Sequence, residues 1–255
     1  MKKEIILSLV IFLCFSCKRS DIECFECSCV SFFDTTGLLQ YHFSSFTPEQ
    51  WKTMDYAEKL EYRQIPSDFL NKMSTNELFI QFIHMDMAKS VLLYDTPQKG
   101  FLREIPKYNF LKELYLRNDV VNYFTGMLND VNIEKVKNIE CRFYYWCLQM
   151  LSAQAELINK MNKAETKRYI DIAYKIMENM TRFSSTDKDW RSFSNYTFCT
   201  IAFANIMIKY NYEPFTDLIQ SDKELQLYLD GNTLLDEYTF PLICDHMLEF
   251  YKQLK

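Results

Sequence analysis

Hydrophobic residues recur along most of this chain at the spacing of an α-helix. Tyr169, Ile172, Ala173, Ile176, Met177 and Met180 fall at i, i+3, i+4, i+7, i+8 and i+11, one face of a helix. Two stretches are apolar almost all round, Phe143 to Leu151 (Phe-Tyr-Tyr-Trp-Cys-Leu-Gln-Met-Leu) and Phe198 to Ile208. A helix without a polar side must be enclosed by others, so these two are expected at the centre, with Phe143, Trp146, Phe198 and Phe203 as core. Polar punctuation marks where helices begin. Thr47-Pro48-Glu49-Gln50, Ser74…Glu77, Asn162…Glu165 and Ser221…Glu224 each place a short polar side chain three residues before Glu or Gln. That spacing lets the two side chains satisfy each other's backbone N–H groups at a helix start. The second and third of these open runs to about Tyr94 and Phe183. Pro66 and Pro106 read as first-turn prolines, with Pro97 between helices. About eight to ten helices with short connections predict an all-α fold, an irregular multi-helix array of antiparallel helical hairpins. Both a HEAT-like stack and a globular bundle fit. Leu114 to Asp119 faintly echoes Leu227 to Asn232, but no period of about 30 to 45 residues emerges.

The first 17 residues follow a different pattern. Lys2 and Lys3 precede an apolar run from Ile5 to Phe15, broken by Ser8, and Ser16-Cys17 closes it. As a helix this run spans about 16 Å, against about 30 Å for a bilayer's hydrocarbon core, so it reads as a signal and not a membrane span. Ser16 before Cys17 has the form of a lipoprotein processing box, with Cys17 as the lipid-attachment residue. Lys18 follows it where an inner-membrane retention signal would carry Asp, so an outer-membrane lipoprotein facing either side is expected. The expected organisation is a signal peptide over 1–16, a tether over 17–46 and one helical domain over 47–255.

Composition sharpens the fold class. The 255 residues include four glycines, where average usage of about 7% would give about 18. Tight β-turns and phosphate-cradling loops consume glycine, so their scarcity favours helices. The formal net charge is −5 with no basic stripe, so nucleic acid is not an expected partner. Nine cysteines occur. Cys24, Cys27 and Cys29 fall in the tether and lack a second CxxC or His pair to complete a zinc site, while Cys141, Cys147 and Cys199 lie in apolar surroundings and read as small buried hydrophobes.

Chemistry is sparse. The sequence has no nucleophile elbow, phosphate loop, dinucleotide fingerprint or His-Glu-x-x-His. His42, His84 and His246 are the three histidines; His84/Asp86 and Asp245/His246 stand too close in sequence to meet on a helix face. Glu113, Glu140 and Glu156 fit solvated helix faces. No catalytic, cofactor or metal residue is expected. Aromatics are dense, with 21 Phe, 17 Tyr and 3 Trp. Trp51, Trp190, Tyr108, Tyr115 and Tyr123 are the candidates for an exposed partner surface, because Trp and Tyr are favoured interface anchors.

Thr47 to Met54, Glu58-Lys-Leu, Gln64-Ile-Pro66, Leu70 to Leu78 and Asn109 to Asp119 together resemble a group of helical lipoproteins of Bacteroides-type bacteria. In that group a Trp-containing helix, an Ile-Pro dipeptide, a Met-Ser-Thr helix start and a Leu-x-x-Arg-x-Asp segment recur in this order. The Tyr-Pro that members often carry after the Met-Ser-Thr helix is replaced here by Met85-Asp86 and Tyr94. The resemblance spans roughly residues 47 to 120; it implies location and fold and supplies no catalytic residue. The functional expectation is a non-enzymatic, lipid-anchored cell-envelope protein acting as a protein-binding module. The alternatives are an immunity-type lipoprotein against a toxin and a helical glycan hydrolase.

Overall fold

The computed structural model describes residues 37–42, 47–84, 90–133, 136, 139–184 and 196–254. Every regular element among them is helical, and the array is globular. In chain order these are α1 (Pro48–Thr53), α2 (Tyr56–Tyr62), α3 (Ser67–Leu70), α4 (Thr75–His84), a 3-10 turn at Val91–Leu93, α5 (Pro97–Glu104) and a second 3-10 turn at Ile105–Lys107. They continue with α6 (Asn109–Leu116), α7 (Val120–Asp130), α8 (Ile139–Ser152), α9 (Ala155–Ile158), α10 (Lys163–Ser184), α11 (Thr197–Lys209), α12 (Glu213–Ser221), α13 (Lys223–Leu229) and α14 (Thr239–Gln253). The helices expected from the pattern are thus subdivided into more and shorter pieces.

Three of the four boxes cap as expected. At α1, Gln50 N donates to Thr47 Oγ1 (3.2 Å) and Thr47 N to Gln50 Oε1 (2.8 Å). Ser74 and Glu77 do the same for α4, as do Asn162 and Glu165 for α10. The fourth is displaced by one residue. Asp222, not Ser221, caps α13, accepting from Leu225 N at 3.0 Å, while Ser221 ends α12. An ionised carboxylate outcompetes a hydroxyl for the positive end of a helix. Pro97 also differs from expectation: it is the first residue of α5, capped by Thr96 Oγ1, which accepts from Lys99 N.

Two helices organise the core. α11 is buried from Thr197 to Ala204 and again at Ile206 and Met207, and it packs against α8, α9, α10, α12 and α14. Ala202 and Ala204 keep its surface narrow enough for neighbours on several sides. In the amino-terminal half α4 plays the same part, with Leu78, Phe79, Ile80, Phe82 and Ile83 buried and α6 and α7 packed on it. α7 joins the two halves through α8 and α10, and one hydrophobic core runs through both. Cys141, Cys147 and Cys199 are buried, and burial pushes the Cys199 pKa up to about 12. Phe198 and Phe203 are core, whereas Phe143 and Trp146 are half-buried against it.

A close approach ties the halves together at Gly231. Its φ is +73°, and a Cβ there would lie 2.6 Å from Lys99 N. Only glycine admits this contact, which lets Thr96 Oγ1 donate to the Gly231 carbonyl across 135 residues of chain. Ahead of α1, residues 38–42 do not extend away as tether. Leu39 N donates to Glu77 Oε1 (2.7 Å) and Tyr41 N to Gln81 Oε1 (2.9 Å), and Gln81 Nε2 donates back to Tyr41 O (3.1 Å). Tyr41 packs edge-on against Phe69, at 5.2 Å between ring centroids.

Candidate functional site: a cationic, aromatic cleft at Trp51

Short helices make the site. α1 and α2 are joined by two residues, so Trp51 is folded back over the end of α2. Lys59 and Arg63 stand i, i+4 there, with Lys59 Nζ 5.6 Å and Arg63 Cζ 5.3 Å from the Trp51 ring centroid. Tyr62 meets the same ring edge-on at 6.2 Å. Arg63 continues inward, its Nη1 donating to Tyr108 Oη at 3.2 Å. Behind this group opens a cavity of about 860 Å³. Gln40, Tyr41 and His42 form one wall; Tyr56, Lys59 and Arg63 another; Gln81, His84, Ser90, Glu104 and Lys107 complete it.

The electrostatics are lopsided. Lys59, Arg63 and Lys107 line the cavity, and Glu104 is the one carboxylate among the described lining residues. Glu104 is already engaged, accepting from Lys107 Nζ (3.0 Å) and from the Tyr94 hydroxyl. Burial acts to raise its pKa, but the Tyr94 and Lys107 hydrogen bonds, with the charges of Lys107 and Arg63, hold it below the ordinary carboxylate value. Burial likewise opposes the Lys107 charge, and Glu104 and Tyr56 outweigh it to raise that pKa. No carboxylate among the described residues pairs with Lys59 or Arg63. Two cations are therefore held on an indole face in a cavity of a size common to ligand sites, about 300 to 1,000 Å³. A two-carboxylate glycosidase pair is not assembled there among the described residues, and no group of three or more potential metal ligands occurs among them anywhere.

The partner-surface candidates separate. Trp51 lies in the cleft, half-buried. Tyr108 and Tyr115 are not exposed: Tyr108 is fully buried, with burial pushing its pKa up to about 12, and Tyr115 donates to Leu151 O at 2.8 Å inside the core. Tyr123 is half-buried and donates to Asn76 Oδ1 at 2.8 Å. Each of these hydroxyls has found an internal partner, which is what permits a tyrosine to be buried. Cys17, Cys24, Cys27, Cys29 and Trp190 lie outside the described residues, as do Met85, Asp86 and the side chain of Glu140. Glu113 pairs with Arg117 Nε at 3.1 Å and Glu156 is exposed. His84 packs near Tyr144, and His246 lies against Tyr212 and Phe215.

Sequence reasoning found Trp51 but missed Lys59, Arg63, Glu104 and Lys107. A signal existed: Lys59 and Arg63 are like charges at i, i+4, a spacing that costs stability unless something offsets it. Part of the offset is the helix terminus, since both sit in the last turn of α2 or at its C-cap, where positive charge is favoured. No protein-family model matches this chain, and neither does any curated protein or solved structure. No helix among the described residues is long and apolar enough to cross a membrane.

Proposed function

We propose that this chain is a lipid-anchored cell-envelope protein of the outer membrane, attached through Cys17, and that it is a binding module whose partner protein docks at the Trp51 cleft. The resemblance of residues 47–120 to helical lipoproteins of Bacteroides-type bacteria points the same way. The carrying observation is the pair of cations on Trp51 that lack a carboxylate partner among the described residues, at the mouth of a large cavity. Holding two charges on a half-buried aromatic costs side-chain freedom, and an incoming ligand makes use of that preorganisation. The described lining supplies cations, an aromatic ring and backbone hydrogen-bonding groups, which suit recognition of a ligand.

Two experiments test this reading. Metabolic labelling with a palmitate analogue is expected to mark the wild-type protein in the membrane fraction and to fail in Cys17→Ala; label retained in that variant removes Cys17 as the attachment residue, and an unlabelled wild-type protein in the soluble fraction removes the anchor. A photo-crosslinking amino acid at Tyr56, which is 64% exposed beside the cleft, is expected to give a discrete adduct in living cells. The adduct should vanish in the Lys59→Gln/Arg63→Gln chain. An adduct that survives the double variant places docking elsewhere.

A further inference from the structure

The cleft's inner wall carries information about the shape of what it binds. Leu39 and Tyr41 both turn their amides onto α4, toward Glu77 and Gln81, which are four residues apart on that helix. Backbone groups of residues two apart facing one side mark an extended chain. The intervening residues then face the other way. Gln40 and His42 line the cavity, and their backbone N–H and C=O groups make no hydrogen bond with any described residue. An unpaired edge of extended backbone is a template for a further strand.

Charge and packing narrow the occupant. The cavity presents Lys59, Arg63 and Lys107 against Glu104, in a chain whose formal net charge is −5. The Trp51 ring already carries Lys59 and Arg63, so it serves to hold cations and not as a bare stacking platform for a sugar. What remains free to recognise a ligand is positive charge together with a backbone edge. We infer that the cleft takes an acidic segment of a partner protein in extended conformation, pairing with the Gln40–His42 edge and placing carboxylates on Lys59 and Arg63. This rests on the binding-site reading above and supplies its ligand chemistry.

The test uses the purified full chain in mild detergent and a fluorescein-labelled hexapeptide alternating glutamate with phenylalanine, titrated by fluorescence anisotropy. Controls are the lysine–phenylalanine counterpart, the acidic peptide N-methylated at alternate residues, inorganic phosphate and a trigalacturonic acid. Binding of the acidic peptide is expected at micromolar concentrations, weakened about tenfold or more by Lys59→Gln/Arg63→Gln and by N-methylation. Glu104→Gln, which removes a negative charge from the lining, should tighten binding about two- to threefold, a gain that misfolding cannot produce. Equal binding of the basic peptide, or indifference to the double variant or to N-methylation, overturns the inference. So does phosphate or the uronide competing at lower concentration than the acidic peptide. If the peptide fails while the Tyr56 crosslink persists, the acidic-strand inference falls and the binding-site reading stands; loss of the crosslink removes that reading itself.

Discussion

At the scale of single residues, two glycines are fixed by how closely another stretch of backbone approaches them. Gly231 has a positive φ and touches Lys99 N, so Gly231→Ala meets both conformational strain and a backbone clash. A loss exceeding about 1 kcal/mol is expected, read as a lower urea midpoint with unchanged slope. Gly100 is a case of crowding alone: a Cβ there would lie 2.3 Å from Val91 O, on the 3-10 turn packed against α5. Gly100→Ala should cost about 1 to 3 kcal/mol by forcing α5 off that turn. Gly126, also helical, has open space around its would-be Cβ, and Gly126→Ala should stabilise by a few tenths to about 1 kcal/mol. The three substitutions are chemically identical, so their opposed signs in one urea series isolate the contacts as the cause.

Elements show where the sequence is informative and where it stops. The boxes at Thr47, Ser74 and Asn162 were readable because both partners lie within four residues of chain. The box at Ser221 misled because Asp222, next to it, competes for the same amides. Asp222→Ala is therefore expected to cost about 1 kcal/mol, and Ser221→Ala close to nothing, by thermal unfolding. The apolar runs that became α8 and α11 were recognisable as enclosed, yet α8 keeps Phe143 and Trp146 half-buried, since burial depends on which neighbours arrive. The same limit governs the tyrosines. Tyr108 and Tyr115 look like Tyr56 in sequence, but Tyr115 can be buried because the Leu151 carbonyl, 36 residues away, accepts its hydrogen bond, and Tyr56 is exposed. Of the cleft, Trp51 was legible by type alone. The i, i+4 spacing of Lys59 and Arg63 was a local hint, but Glu104 and Lys107 gain meaning only when the end of α2 meets the end of α5 and the 3-10 turn after it, a long-range event.

Over the whole molecule, ionisable groups set the pH range of stability. Glu77, Glu104, Asp222 and Asp236 all have lowered pKa values. Burial opposes ionisation at Glu77 and Glu104, and hydrogen bonds outweigh it; at Asp222 and Asp236 backbone hydrogen bonds from Leu225 and Thr239 lead. Their stabilisation is complete above the unfolded carboxylate range and is lost as pH falls through the lowered values. Tyr108 and Tyr174 are shifted the other way by burial, up to about 12, so their contribution is complete below the unfolded tyrosine value and is lost as pH rises toward 12. Buried Cys199 and Cys244, also pushed up to about 12, begin to cost stability as pH approaches the unfolded thiol value, so the urea midpoint should be flat between about pH 5 and pH 8 and fall on both sides. Glu77 matters twice, because it caps α4 and also fastens Leu39. That double duty has a mechanical side. A pull applied at Gly37 itself loads the rungs at Glu77 and Gln81 in turn, like the teeth of a zip. Those rungs hold one wall of the Trp51 cleft, so tension along residues 37–42 would widen or strip the cleft while the helical body stays intact.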